Sequence, residues 1–456
     1  MTGGEATLLL RFLAIPRCDT MAAGCPVGTE SAYAATGWVG EVSDYRSMCW
    51  VGQFRSNRAG NPAGRRFQGG WRVSGDATCP GSAPRVKGSE VIRVDVFGYN
   101  LTYAHGQYVM SSGRVVDALP STVVRIETRD GYTGYGESCP LGATYLPAFG
   151  GGARAALAEL APALLGVEAT NLAEVSARMD AALRGHAYAK SAIDIACWDI
   201  LGKVTGRSVA ELLGGPLQTR LPLYVAVPMG DPADMATFVT RELSLGIHRF
   251  QLKLGGAPGL DADRTAAILS ATSSEDTIVA DANGGWRRQD AIQAVRRLER
   301  MERLLLEQPC PTLEECLAIR RLTTLPMILD EVILDLASLI RAVSLDAMDH
   351  INLKIGRVGG LTKAKVMRDA AVELGLRLTI EDTWGGDLTT AAVSQLAAGV
   401  PTASLFAVSY MNDWTQEHIA GYEPRSERGQ GPVLTAPGLG VSVDDDQLGA
   451  PLYTTA

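Results

Sequence analysis

The sequence has few histidines, no closely spaced cysteine pairs and no long hydrophobic runs. Its 456 residues include only five His, and none of the eight Cys forms the Cys-x-x-Cys spacing of a structural zinc site. The longest apolar runs fall far short of the roughly 18 residues that a membrane helix needs. Lys and Arg number 42 against 50 Asp and Glu, a net charge of −8, and no basic tract favours nucleic acid. These absences leave a soluble enzyme or small-molecule binder, and the scattered cysteines indicate reduced thiols in the cytoplasm.

Residues 1–89 differ from the rest of the chain in charge. They contain ten Lys or Arg against six Asp or Glu, a net charge of +4 that leaves −12 for the remainder. We interpret this segment as an N-terminal extension that is disordered or lies outside the folded domain. An Arg-rich, acid-poor mitochondrial transit peptide is the alternative.

The hydrophobic pattern becomes regular from residue 90 onward. Val91–Thr102 and Ser121–Thr128 alternate like strands, and helical patterns follow them. The Gly214-Gly215 pair closes the last of these helices and marks a boundary. The pattern predicts an α+β capping domain over residues 90–215.

Short apolar strands then alternate with helices over residues 216–412. Eight such strands with seven intervening helices predict a parallel (β/α)7β barrel of the TIM type. The Pro- and Gly-rich segment 413–456 is expected to return to the capping domain. The strand candidates are Leu221–Val227, Phe250–Leu254, Thr277–Asp281, Leu304–Glu307, Met327–Asp330, Ile351–Ile355, Leu376–Ile380 and Leu405–Val408.

Three carboxylates follow one another at the ends of the third, fourth and fifth barrel strands. Asp281, Glu307 and Asp330 are 26 and 23 residues apart, about one strand–helix repeat each. Adjacent parallel strands therefore bring them to one rim of the barrel. Clustered carboxylates repel one another unless they are protonated or bound to a hard cation, and oxygen ligands suit Mg²⁺. The spacing predicts a magnesium site.

Two lysines flank this cluster. Lys253 ends the second strand and Lys354 the sixth, positions that are diametrically opposed in an eight-stranded ring. They can therefore reach both faces of a bound substrate carbon. Repulsion between the two lysines and the charge of the nearby metal are expected to lower the pKa of both toward the range of general bases. The alternative is that each lysine only pairs with a ligand carboxylate.

Five motifs carry these residues: Gln251-Leu-Lys253, Asp281-Ala-Asn283, Glu307-Gln-Pro309, Asp330-Glu331 and Lys354-Ile-Gly-Arg-Val-Gly-Gly360. As a set they resemble the enolase superfamily, in its mandelate racemase and muconate lactonizing branch. The likeness extends from about Val91 to the C-terminus. It implies Mg²⁺-assisted abstraction of the proton α to a carboxylate, with Lys253 and Lys354 as the catalytic residues.

The sequence departs from the family's motifs in two places, and both departures limit the activities that the resemblance implies. Gln251 replaces the first Lys of the Lys-x-Lys motif found in many members, and no His occurs between His350 and His418. Both argue against sugar-acid dehydratase and mandelate racemase activity. The resemblance is to members acting on proline derivatives and implies dehydration of cis-3-hydroxy-L-proline to Δ¹-pyrroline-2-carboxylate, a lyase reaction. The alternatives are 2-epimerisation of a proline or hydroxyproline betaine and, in a different class, a non-catalytic binding scaffold.

Four residues are candidates for contact with a small amino-acid substrate. Trp384 could stack on a pyrrolidinium and Asp382 could neutralise it, although Trp384 could equally pack its own loop. Tyr145 matches a substrate-contacting tyrosine of the family, and Gln251 is counted with these three. We expect a homo-oligomer that has no nucleic-acid or membrane partner.

Overall fold

A computed structural model of the chain describes residues 89–456, so the interpretation of residues 1–89 lies, apart from Ser89, outside the described residues. Its largest element is a sheet of eight parallel strands, which follow one another in sequence order. A parallel bridge between Leu223, just before the first strand, and Val408 in the eighth links the two edges of this sheet. The strands are Val225–Val227, Arg249–Lys253, Thr277–Asp281, Leu304–Glu307, Met327–Leu329, His350–Lys354, Arg377–Glu381 and Leu405–Val408.

Helices cover the outside of this sheet, and the predicted (β/α)7β barrel is confirmed. Several helices begin where the sequence supplies a start signal: Pro232 and Pro258 occupy first-turn positions, while Thr312 and Asp335 accept hydrogen bonds from backbone N–H groups. The barrel helices are Pro232–Ser244, Pro258–Ala271, Arg288–Leu298, Leu313–Arg320, Leu336–Ser344, Ile355–Val358, Leu361–Glu373 and Asp387–Ala397.

The first strand differs from its prediction. The predicted strand Leu221–Val227 is divided, because Arg220–Pro222 pairs antiparallel with Gln430–Pro432 and only Val225–Val227 joins the barrel. The chain thus changes partners within one apolar stretch, which the apolar pattern alone cannot distinguish from a continuous strand.

An antiparallel sheet and three long helices form the capping part of the molecule. Its sheet contains Val91–Thr102, Ala118–Thr128 and Thr133–Ser138, and Tyr453–Thr455 pairs with the first of these. The helices are Gly150–Leu160, Leu172–Ala182 and Ala187–Thr205. The division of the chain into residues 90–215, 216–412 and 413–456 remains a prediction.

Close packing joins the third strand of this sheet to the longest helix. A Cβ on Gly136 would lie 2.0 Å from the backbone oxygen of Ala192, so only glycine lets strand and helix approach this closely. The contact fixes the start of the segment 139–149, which leads from the sheet to the barrel mouth. None of the helices in residues 89–456 has the length and apolar character needed to cross a membrane.

Candidate active site

The three predicted carboxylates lie together at the carboxyl ends of adjacent barrel strands. Asp281 and Glu307 are register partners in the third and fourth strands, and Asp330 directly follows the fifth. All three are at most 1% exposed. Burial and the nearby charges of Asp281 and Asp330 raise the pKa of Glu307 well above its usual range. The three groups therefore share one buried, electrostatically strained site.

Each predicted catalytic lysine is held by a carboxylate. Lys253 Nζ lies 2.6 Å from Asp281 Oδ2, and Lys354 Nζ lies 2.7 Å from Asp330 Oδ2. Burial acts to lower the pKa of both lysines, but the carboxylates outweigh it and raise the pKa above the usual value. Attraction to the adjacent carboxylates thus exceeds repulsion between the two ammonium groups. The expectation of lowered lysine pKa values concerned lysines beside a bound metal, and for that state it stays a prediction.

Two side-chain amides hold Glu307 from opposite sides of the barrel. Gln251 Nε2 donates to Glu307 at 2.9 and 3.0 Å, and Asn352 Nδ2 donates to Glu307 Oε1 at 2.7 Å. Each amide stands two positions before a lysine, so the period of the strand points both side chains into the barrel. Gln251 was predicted to contact substrate, and the structure places its amide against the carboxylate cluster.

Asp330 accepts hydrogen bonds from a second cation and from a phenol as well as from Lys354. Arg357 Nη2 donates to Asp330 Oδ1 at 2.6 Å, and the Tyr145 hydroxyl donates to Asp330 Oδ2 at 3.1 Å. Lys354 Nζ is also 3.2 Å from that hydroxyl. Although burial opposes it, the charges of Arg357 and Lys354 hold the pKa of Asp330 well below its usual range. Tyr145, predicted to contact substrate, lies directly beside Lys354.

Trp384 and Asp382 stand where the chain leaves the seventh strand. Trp384 is 1% exposed and packs edge-on against Tyr108, with ring centroids 5.2 Å apart. The Asp382 carboxylate accepts from the backbone N–H groups of Gly356 and Thr383 at 2.9 and 2.7 Å. Burial raises the pKa of Asp382 to about 7. Both residues line the same cavity as the two lysines.

Four further groups of the site carry no role in the sequence-based prediction. Glu381 Oε1 lies 3.3 Å from Lys354 Nζ, and the Tyr224 hydroxyl donates to the other oxygen of Glu381. The remaining two are Asn352 and Arg357. Glu381 and Asn352 are polar residues within otherwise apolar strands, a signal that points to the barrel interior. Tyr224 and Arg357 carry no comparable signal, because their contacts depend on which segments meet at the barrel mouth.

The cavity at the barrel mouth is narrow. It has a volume of about 20 Å³, room for about one water molecule. Tyr145, Trp384 and Trp414 are among the side chains around it. A ring-sized substrate therefore requires some of these side chains to move.

The donor set fits a hard divalent cation. Oxygen atoms from three neighbouring strands are the ligand type that Mg²⁺ prefers. Two further acceptor atoms of the site, Asn283 Oδ1 and Glu331 Oε2, are buried without a hydrogen-bond partner in the described structure. Within residues 89–456, no three Asp, Glu, His or Cys side chains are arranged so that together they could already hold a metal ion. The oxygens of the predicted ligands instead face Lys253, Gln251 and Arg357.

Comparison with known proteins matches both parts of the molecule. Residues 96–214 match the mandelate racemase / muconate lactonizing enzyme N-terminal domain, and residues 234–447 match the enolase C-terminal domain-like family. The cis-3-hydroxy-L-proline dehydratase of Roseibium aggregatum is 45% identical over 363 residues, which cover 80% of this chain and 99% of that protein. The N-succinyl-L-Arg/Lys racemase of Bacillus cereus is 29% identical over 280 residues, 60% of this chain and 74% of that protein.

A solved structure shares the whole fold. An enolase superfamily member from Roseovarius nubinhibens ISM, solved as a complex with magnesium, superposes with a TM-score of 0.75 at 36% identity. The match covers 80% of this chain and 99% of that one.

Proposed function

Since the chain belongs to the mandelate racemase and muconate lactonizing branch of the enolase superfamily, we propose that it dehydrates cis-3-hydroxy-L-proline to Δ¹-pyrroline-2-carboxylate. The observation that carries the proposal is the pair Lys253 and Lys354 at opposite strands of one buried cavity, beside three carboxylates. The extent of similarity to the Roseibium aggregatum dehydratase supports the choice of substrate.

Asp281, Glu307 and Asp330 are the proposed ligands of Mg²⁺. Their burial and mutual repulsion favour a cation, and a superfamily member of the same fold was solved with magnesium. When bound, Mg²⁺ supplies positive charge that stabilises the carboxylate of the substrate as its α proton leaves.

Lys253 is the proposed base and Lys354 the proposed acid. Lys253 Nζ takes the proton from Cα, the C–H electron pair becomes the Cα–Cβ double bond, and the Cβ–O bond breaks. Lys354 donates a proton to the departing hydroxyl, so that water leaves, and the resulting enamine tautomerises to the ring imine. Lys354 lies near two carboxylates and Lys253 near one, which favours Lys354 as the group that stays protonated.

The stereochemistry of the substrate agrees with this assignment. In cis-3-hydroxy-L-proline the hydroxyl and the carboxylate share one ring face, so the α-hydrogen lies on the other face. The elimination is therefore anti and requires an acid and a base on opposite sides. Lys253 and Lys354 stand on the second and sixth strands of an eight-stranded ring, which meets that requirement.

Substrate binding is proposed for three aromatic and acidic side chains. Trp384 presents a ring to the cavity that suits stacking on the cationic ring nitrogen, and Asp382 can offset its charge. Tyr145 would meet the substrate beside Lys354. Assembly of the enzyme into a homo-oligomer remains a prediction.

A 2-epimerase acting on a proline betaine is the second candidate. The same pair of lysines could remove a proton from one face and return it to the other. The similarity to the Bacillus cereus racemase favours this candidate, although it covers less of both chains than the similarity to the dehydratase does.

A substrate screen tests the proposal. The purified full chain with Mg²⁺ is incubated with cis-3-hydroxy-L-proline, its trans isomer and proline betaine, while ring-imine formation and optical rotation are followed. We expect imine from the cis isomer at a much higher rate than from the trans isomer. The variant Lys253→Met is the control for non-enzymatic imine. Loss of rotation of proline betaine without imine would establish the epimerase instead, and no reaction with any of the three would contradict both.

A further inference from the structure

A second cavity lies beside the catalytic cavity, and no residue lines both of them. Its volume is about 460 Å³. The capping segment 146–149, the start of the helix Ala187–Thr205 and Leu334 of the barrel surround it. Most of its wall is apolar, including Leu146, Pro147 and Phe149. The catalytic cavity of about 20 Å³ and this larger one are therefore distinct spaces.

One buried guanidinium connects the two spaces. Arg357 donates to Asp330 through Nη2 and also lines the larger cavity. It is only 4% exposed, yet its Nε and Nη1 nitrogens have no acceptor among residues 89–456. A buried donor without an acceptor loses its hydrogen bonds to water and gains none from the protein, which costs roughly 1–3 kcal/mol for each donor. Both nitrogens are closed to solvent, so an acceptor bound in the cavity would remove that cost once the side chains around Arg357 shift to admit it.

The other formally charged residue of this cavity is also a cation. Arg184 lines it beside the imidazole of His186, no carboxylate does, and Arg184 forms no ion pair within the described part of the chain. The helix Ala187–Thr205 also begins here, and the side chain of its N-cap residue His186 accepts no hydrogen bond from the helix. The N–H groups of a first helical turn favour an anion.

We infer that the larger cavity binds a small organic carboxylate, with its charged group toward Arg357 and the helix start and its apolar body against Leu146, Phe149 and Leu334. An inorganic anion would satisfy the donors but leave the apolar wall uncovered. A neutral apolar molecule would leave the guanidinium donors unpaired. The inference does not depend on the identity of the substrate.

Direct binding to the full chain tests this site. Calorimetric titration with benzoate is performed in EDTA, so that a metal ion cannot hold benzoate in the active site. We expect saturable binding of benzoate and binding of the uncharged isostere benzamide that is weaker by about tenfold or more, because a charge-assisted hydrogen bond is lost. Equal affinity for the two compounds, or no binding of benzoate, would overturn the inference.

Two variants locate the bound molecule, and neither alters a residue of the catalytic cavity. Arg184→Gln is expected to weaken benzoate binding several-fold, and Ala187→Leu, which adds a side chain at the cavity wall, is expected to abolish it. Arg178→Gln is the matched control, since Arg178 is an exposed arginine of the preceding helix that does not line the cavity. All variants are checked for an unchanged unfolding midpoint. Benzoate binding that survives Ala187→Leu would place the ligand elsewhere and refute the site.

Discussion

Lys253 and Lys354 occupy matching strand ends but have different surroundings. The ammonium of Lys253 meets one carboxylate, that of Asp281 at 2.6 Å. The ammonium of Lys354 meets two, Asp330 at 2.7 Å and Glu381 at 3.3 Å, and also the hydroxyl of Tyr145. The two sides of the barrel mouth are therefore electrostatically unequal, which is what a reaction with one base and one acid requires.

The turns that follow the two lysines are anchored in different ways. After Lys253, the backbone N–H groups of Gly255 and Gly256 donate to Asp261, whose carboxylate is paired with Arg264 at 2.7 Å. All of these residues belong to one turn and the helix that follows it. The carboxylate that anchors the Lys253 side thus comes from the adjacent stretch of sequence and has its own counter-ion, and Trp286 adds one further donor to it.

The turn after Lys354 depends on carboxylates from distant segments. Gly356 donates to Asp382, which directly follows the next strand, and Thr362 donates to Asp194 of the capping helix. In the described structure neither carboxylate forms an ion pair, and burial raises the pKa of Asp382 to about 7 and that of Asp194 to about 6. The comparison indicates that the turn after Lys354, unlike the turn after Lys253, is anchored by carboxylates whose protonation depends on pH, one of them in the capping helix.

The largest effect is expected from removing either lysine. Lys253→Met and Lys354→Met should each lower the dehydration rate by about 10²–10⁴-fold, the usual contribution of a general acid or base. Only Lys354→Met should still exchange the α-hydrogen of cis-3-hydroxy-L-proline in D₂O, as measured by proton NMR. Exchange retained by Lys253→Met and lost in Lys354→Met would reverse the assigned roles.

Asp330 and Asp281 should differ in their contribution to stability. Asp330→Ala leaves Lys354 and Arg357 buried without a main counter-ion, and we expect the free energy of unfolding to fall by about 3–5 kcal/mol. Asp281→Ala leaves only Lys253 unpaired and should cost less. Urea unfolding of both variants in EDTA separates this effect from metal binding. If Asp281→Ala lost as much free energy of unfolding as Asp330→Ala, or more, the proposed electrostatic difference between the Lys253 and Lys354 sides would be contradicted.

Asp194 should make stability depend on pH. Its pKa in the folded state, about 6, lies above the ordinary value of 3.8, so the folded chain holds the extra proton. The stability contributed by this group is complete below pH 3.8 and is lost as the pH rises through 6, a change of about 3 kcal/mol. Asp194→Asn, which can keep the bonds to Thr362, should lack this component in urea unfolding measured between pH 4 and 7.5. An unchanged pH dependence in the variant would contradict the buried, unpaired carboxylate.

The smallest effect is expected at Glu381. Its carboxylate is one of the groups that raise the pKa of Lys354, so Glu381→Gln lowers that pKa. Lys354 then loses its proton at a lower pH, so the alkaline limb of the pH–rate profile for dehydration should shift to lower pH. We expect the rate on that limb to fall by about tenfold. Tyr224→Phe keeps the carboxylate and should move that limb less. A limb that stays in place in Glu381→Gln would show that Glu381 does not tune Lys354.

Much of the fold was predictable because buried parallel strands have a plain sequence pattern. The eight apolar stretches and the helices between them predicted the barrel, and strand ends in such a barrel meet at one rim. For the same reason the sequence predicted that Asp281, Glu307 and Asp330 would lie together. It did not predict the division of Leu221–Val227, since a change of pairing partner leaves no mark on an apolar run.

The sequence by itself determined the barrel, the rim carboxylates and the positions of both lysines, all of which follow from repeats along the chain. The tertiary structure alone decided what surrounds each lysine. Gly255 and its anchor Asp261 are six residues apart, whereas Thr362 and its anchor Asp194 are 168 apart. Strand periodicity determines which way a side chain points, but its partners depend on which distant segments pack against it, and those contacts set the charge balance at Lys354.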